Sequence, residues 1–291
     1  MGVNCFVPKT LEEALKIRKE HECIVLAGGS DLMVSAFRAT GVTPYFASDV
    51  MIIRSLDELK GISKNQKGQL EIKACTTSRE IASNPIVPWV LRQAAGKMGA
   101  IGLRNSATIG GNIANASPKG DTPGPLYLLD AIVVVQSLDR GERMIPISEF
   151  ILKLKTVALE KDEIITKVII PYDDDSFDAF FYHKIGRRHA NAISKLTLTS
   201  AIKFSRMGTV TDFRVATTAC GVKTNRSREV ESLLIGHKKS EIPSLIDSVT
   251  TAFEALLTPR AMPEYRKQST KNMIEDFLLK VSHDKLQKFY E

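Results

Sequence analysis

The sequence predicts an α+β fold in two parts, and three observations carry that prediction. Up to Asp175, short apolar segments of strand character alternate with amphipathic helical ones. Past the acidic, turn-like PYDDDSFD (Pro171–Asp178), three strand-like segments follow one another with no helix between them, as in a small antiparallel sheet. From Arg228 onward the pattern turns helical to the end of the chain.

The elements follow in order. Thr10 with Glu13 three residues later reads as a capping box opening TLEEALKIRK, and Leu11, Ala14, Leu15 and Ile17 give that helix an inward stripe. CIVLAG (Cys23–Gly28) reads as a short buried strand, and Asp31 opens a second helix, DLMVSAFRA. MIIR is a strand and SLDEL after it a capped turn of helix, while QLEIKACT alternates as a half-buried strand does. PIVPWVLRQAAGKMG is helical after its second proline, Pro88. AIVVVQS and EIITKVIIP are strongly strand-like. AFFYHKIG, LTLTSAIKFS and DFRVATTACG form the run of three strands, and EIPSLIDSVTTAFEALL and PEYRKQSTKNMIEDFLLKVS are long enough for amphipathic helices. The expected division is 1–175 and 176–291, the first part in two lobes of about 1–55 and 56–175.

Bulk properties narrow the function classes. A chain of 291 residues with 43% apolar and 25% charged residues is typical of a globular protein. No apolar run approaches the ~20 residues that span a bilayer, so no membrane span is expected. MGVNCFVPKT lacks a basic segment followed by an apolar core, and Phe6 breaks a myristoylation pattern, so a cytoplasmic location is expected. Cys5, Cys23, Cys75 and Cys220 are scattered with no CxxC pair, which argues against a zinc or iron–sulfur site on this chain and fits a reducing compartment. The net charge of +7 is spread, and its densest group, HKIGRRH, has no interleaved aromatics. A nucleic-acid partner is therefore not expected.

Two glycine-rich segments carry the chemistry. VLAGGSDLMV joins a strand to a helix, and SATIGGNIANASPKGD repeats the pattern about eighty residues on. Glycine permits positive φ and lets a phosphate approach backbone N–H groups with no Cβ in the way. The N–H groups of Gly28, Gly29, Ser30 and Asp31, and those near Gly110 and Gly111 with the Thr108 hydroxyl, are candidates for anion binding. Two such segments suit a ligand with two phosphates, a dinucleotide. Neither a GxGxxG fingerprint nor a GK[ST] loop is present, which points away from the Rossmann and P-loop folds.

LAGGSDL (Leu26–Leu32) and RNSATIGGNIANASPKGD (Arg104–Asp121) closely resemble the two FAD-binding motifs of the molybdenum hydroxylase flavoproteins, the FAD subunits of xanthine dehydrogenase, nicotinate dehydrogenase and aerobic carbon monoxide dehydrogenase. FVPKTLEEAL, DEIITKVIIP, YHKIGRRHANAISKL and PRAMPEYRKQ extend the resemblance over nearly the whole chain. It implies a two-lobed FAD-binding domain of the vanillyl-alcohol-oxidase type followed by a smaller sheet with packed helices. It implies cofactor-binding roles for Leu26, Ala27, Gly28, Gly29, Ser30, Asp31 and Leu32 in the first segment. In the second it implies them for Ala107, Thr108, Gly110, Gly111, Asn112, Ala114, Asn115, Gly120 and Asp121, with Ala116 beside them. Ile164 and Ile165 match a pair whose backbone faces the isoalloxazine, and Lys184 a lysine near its pyrimidine edge, where a cation would stabilise anionic reduced flavin.

The resemblance further implies an electron-transfer oxidoreductase subunit with no catalytic or metal-ligating residue of its own. Its partners are a molybdenum-cofactor subunit and a [2Fe–2S] subunit in a hetero-oligomer expected to be dimerised, and its acceptor is NAD or another carrier. Asn191 stands where eukaryotic xanthine dehydrogenases carry an aspartate, which leaves the acceptor open. The alternative is a stand-alone FAD-dependent oxidase or reductase of the same broad fold. Against it, the five histidines are scattered and no substrate base accompanies the glycine segments.

Overall fold

A computed structural model describes residues 3–283 and 287–290. Helix α1 (Leu11–Glu20) begins at Thr10, whose hydroxyl accepts the Glu13 N–H at 3.1 Å. The Glu13 carboxylate accepts from the Lys9 N–H at 2.6 Å rather than from Thr10, so the expected box closes one residue early. Ala14 and Leu15 are the buried part of its stripe. The helix lies beside a three-stranded parallel sheet in the order β1 (Cys5–Phe6), β3 (Asp49–Ile52), β2 (Cys23–Leu26). Helix α2 (Leu32–Ala36) follows β2 and is shorter than the sequence suggests.

The second lobe is a five-stranded antiparallel sheet, β4 (Ile62–Lys64), β5 (Leu70–Lys73), β10 (Ile164–Ile170), β6 (Ile132–Ser137) and β7 (Gly141–Pro146), in that spatial order. Its helices are α3 (Ser78–Ser83), α4 (Trp89–Gly96), α5 (Ile101–Arg104), α6 (Ile109–Ala114), α7 (Pro123–Leu128) and α8 (Ile147–Phe150). A small hairpin, β8 (Ile151–Lys153) and β9 (Thr156–Val157), precedes β10. Strand β10 is central, and its consecutive residues serve different cores. Ile164 packs into the core of the first lobe and Ile165 into that of the second.

Beyond Asp178 come β11 (Ala179–Ile185), β12 (Leu196–Phe204) and β13 (Val210–Thr218), paired antiparallel as expected. Helices α9 (Arg228–Ser232), α10 (Ile242–Glu254) and α11 (Pro263–Ser282) follow. The chain does not end wholly helical: β14 (Phe289–Tyr290) pairs parallel with β11, and Phe289 stacks on Trp89 with ring centroids 5.0 Å apart. Pairing there covers the edge of β11.

This sheet is buried on both faces, which is why its strands read as continuous apolar runs. Phe180, Tyr182, Ala201 and Ala216 belong to the core beneath α4 and α7, while Ala179, Phe181, Leu198 and Val215 belong to the core shared with α10 and α11. Arg214 crosses the same seam with its side chain 3% exposed. It donates to Leu128 O at the end of α7 (3.0 Å), to Asp130 (2.9 Å) and to Asp212 (2.8 Å), and its guanidinium lies 4.0 Å above the Tyr172 ring centroid. Arg226 adds bonds to the Tyr127 and Leu128 carbonyls and to Glu231. The C-terminal carbonyls of α7 are thus satisfied by cations from the second half of the chain. Arg214→Ala leaves Asp130, Asp212 and the α7 carbonyl short of a buried partner, so denaturant unfolding should show a loss of about 3–5 kcal/mol. A loss under 1 kcal/mol would mean that the seam is held by apolar contact alone.

Candidate cofactor site

The two lobes meet where Gly28 touches the residue leading into the second glycine segment. A Cβ at Gly28 would lie 1.9 Å from Ser106 O, and Ser106 Oγ donates to Gly28 O at 2.6 Å. Arg54 holds the other side of this contact through Ser106 Oγ (3.0 Å) and Asn105 O (3.1 Å). Only glycine allows the two backbones this close.

The cavity formed along this contact has a volume of about 660 Å³, inside the range of about 300–1,000 Å³ usual for small-molecule and cofactor sites. It is lined by Leu26, Ala27, Gly28, Gly29, Ser30, Asp31 and Leu32 from the first segment, and by Ala107, Thr108, Gly110, Gly111, Asn112, Ala114, Asn115, Gly120 and Asp121 from the second. Ile164 and Ile165 complete the wall from β10. The structure therefore gathers every residue singled out from the sequence except Lys184 and Ala116, which do not line it.

The two segments differ in what their backbones offer. In the first, no acceptor within the described residues takes the N–H groups of Gly28, Gly29, Ser30 or Asp31. Gly29 has φ +68°, which turns the chain so that these groups follow one another around the bend. In the second, the N–H groups of Ile109, Gly110 and Gly111 are already used. Ile109 N–H donates to Thr76 O (3.1 Å), Gly110 N–H to Ala74 O (2.9 Å) and Gly111 N–H to the Thr108 hydroxyl (3.2 Å). A Cβ on Gly110 would sit 2.8 Å from Ala74 Cβ. The expectation that the N–H groups near Gly110 and Gly111 are available to an anion is corrected here: Gly110 lets α6 pack on the end of β5, and Thr108 caps that helix. Asp31 likewise does not cap α2, and its carboxylate pairs with Lys155 at 3.0 Å.

Lys184 stands behind the wall. Its ammonium pairs with Asp121 at 2.6 Å, with the two side chains 6% and 12% exposed, and it donates to Lys97 O at 3.0 Å. Burial pushes the Asp121 carboxyl above the usual carboxylate range, against the pull of the Lys184 ammonium. Lys184 thus reaches the cavity through Asp121, and it ties β11 to the second segment. The 186–193 loop adds Asn191, Ala192 and Ile193 to the rim, and Asn191 takes a left-handed φ of +50° while its carbonyl accepts from Arg188.

Sequence reasoning missed Lys155, Lys119, Glu163 and the Met98–Leu103 segment as lining residues. Lys119 and Glu163 lie within segments already quoted for the resemblance, whereas Lys155 at a hairpin tip and Met98, Gly99 and Leu103 near helix ends carry no motif, and only the topology brings those in. Glu163, its side chain 2% exposed, is held by Arg143 through two hydrogen bonds of 3.0 and 2.7 Å and accepts the Glu160 N–H.

A built cavity with unpaired backbone N–H groups at a left-handed glycine is suited to a phosphate-bearing organic cofactor, so the fold and site define a dinucleotide-binding α+β protein. The comparisons with known proteins agree. The profile described as "FAD binding domain in molybdopterin dehydrogenase" matches residues 1–173, and that described as "CO dehydrogenase flavoprotein C-terminal domain" matches 181–281. The chain belongs to this family of molybdopterin-dehydrogenase flavoproteins and is a flavoprotein component of an oxidoreductase. The nicotinate dehydrogenase FAD-subunit of Eubacterium barkeri is 29% identical over 95% of this chain and 95% of its own. The carbon monoxide dehydrogenase medium chain of Hydrogenophaga pseudoflava is 25% identical over 92% and 93%. Among solved structures, quinoline 2-oxidoreductase from Pseudomonas putida 86 shares the fold with a TM-score of 0.81 at 20% identity, covering 97% of each chain. A structure of carbon monoxide dehydrogenase from Hydrogenophaga pseudoflava does so with a TM-score of 0.83 at 23% identity, over 95% of this chain and 96% of that one. No helix among the described residues is long and apolar enough to cross a membrane.

Two outcomes test this geometry. Gly28→Ala forces the segments apart, so it should cost about 1–3 kcal/mol in denaturant unfolding; a variant as stable as wild type would place the lobe contact elsewhere. Glu163 supplies a pH test. Burial alone would raise its carboxyl, but the Arg143 and Glu160 hydrogen bonds and the Arg143 and Arg140 charges outweigh it and hold the group below its ordinary 4.5. The stability it contributes is therefore present above pH 4.5 and lost as pH falls through the depressed folded value. Glu163→Gln should flatten the acid limb of the stability profile, and an unchanged limb would contradict the pairing.

Proposed function

We propose that this chain is the FAD-binding electron-transfer subunit of a multi-subunit molybdenum hydroxylase of the xanthine, nicotinate or N-heterocycle dehydrogenase type. In this reading a molybdenum-cofactor subunit and a [2Fe–2S] subunit deliver electrons to it, NAD or another acceptor receives them, and the assembly is cytoplasmic. The division into 1–175 and 176–291 belongs to the same proposal.

One observation carries it: the cavity is built from both glycine segments, and the amides of Gly28–Asp31 in the first have no acceptor among the described residues. FAD, when bound, supplies the redox chemistry. The residues of this chain hold and shield it. The N–H groups of Gly28–Asp31 receive the diphosphate, α6 forms the second wall, and Ile164 and Ile165 keep water from one side. Asp121 offers a buried carboxyl whose charge is steadied by Lys184. Relatives named as FAD-subunits and medium chains of dehydrogenases support the subunit reading.

Co-expression with its genomic neighbours is the test. The chain should purify in a complex containing molybdenum, iron and FAD in metal analysis and the visible spectrum. A lone chain that turns over a small substrate at full rate would instead establish the stand-alone flavoenzyme.

A further inference from the structure

Lys155 lies outside both glycine segments, yet it joins them. It stands at the tip of the β8–β9 hairpin and lines the cavity. Its ammonium pairs with Asp31 Oδ2 at 3.0 Å and also donates to Asn115 Oδ1. Asp31 closes the first segment and Asn115 follows α6, so one ammonium bonds both segments.

The backbone holds that tip independently of the ammonium, because Lys155 N–H donates to Ala116 O at 3.2 Å. Lys155 takes φ +57°, the left-handed region that favours glycine. A glycine would occupy this position without strain and keep the same backbone bond. What lysine adds is the cation, and the charges around it give that cation a task. Three carboxylates line the cavity: Asp121 faces Lys184, Glu163 faces Arg143, and Asp31 faces Lys155. Asp31 adjoins the free amides, where an uncompensated carboxylate would repel an anion.

We propose that Lys155 is a binding residue for the diphosphate of the dinucleotide: its ammonium neutralises the Asp31 charge and offers its third N–H donor beside the amides of Gly28–Asp31, with the hairpin as a clasp over the two segments. The proposal rests on the reading that FAD occupies the cavity.

The test is titration of the full chain, stripped of cofactor, with FAD across a salt series, alongside urea unfolding of the stripped proteins. Lys155→Gly should raise Kd about tenfold, the size of one hydrogen bond to a charged group. It should make Kd less dependent on salt, and leave the urea midpoint equal or higher because the left-handed strain is gone. Lys155→Arg should keep Kd within about threefold of wild type. A Kd in Lys155→Gly within twofold of wild type, an equal loss in Lys155→Arg, or a fall in urea midpoint that accounts for the loss would overturn the role of Lys155 and leave FAD binding intact. A wild-type chain that takes up no FAD would overturn the reading beneath it and the proposal together.

Discussion

The contact between Gly28 and Ser106 is the constraint on which the site depends. The first lobe is a small parallel sheet with α1 and α2, the second is an antiparallel sheet with its own helices, and each has its own core. What turns the gap between them into a cavity is that two backbones approach more closely than any side chain allows. The Ser106 hydroxyl bond to Gly28 O and the Arg54 bonds to the same turn fix the register of that approach. Gly28–Asp31, whose amides have no acceptor among the described residues, line the cavity at the bend of Gly29, which follows directly on the contact.

The second half of the chain frames this arrangement without contributing a glycine segment. Its central sheet is buried on both faces, one against the helices of the second lobe and the other against α10 and α11. Polar ties cross that seam. Arg214 and Arg226 close the end of α7, and Lys184 on β11 pairs with Asp121, which lies just before α7. A buried ion pair gains little net stability over an apolar contact but is costly to break on one side. Its consequence at this seam is that the position of Asp121 in the cavity wall depends on how the sheet docks.

Much of this was legible in the sequence because its strands and helices obey local rules. β10 and β6 are rich in β-branched residues, α10 is a long amphipathic segment, and Thr10 caps α1. The glycine segments were legible as special, but their division of labour was not. Gly28 and Gly110 look alike in sequence, and only the packing shows that one serves contact between lobes and the other contact between a helix and a strand end. Lys155 was invisible because a lysine in a short hairpin carries no signal until the hairpin tip docks on Ala116. β14 was missed because two residues carry too little periodicity to register as a strand, and it exists by pairing with β11.

The central claim is that the first glycine segment receives the cofactor with its amides while the second shapes the wall. Residue-resolved amide hydrogen exchange on the full chain, with and without FAD, tests it most directly. The amides of Gly28, Gly29, Ser30 and Asp31 should exchange fast in the free protein and slow markedly when FAD is added. Those of Ile109, Gly110 and Gly111, already bonded within the chain, should be protected in both states. Exchange at Gly28–Asp31 that FAD leaves unchanged would contradict the account.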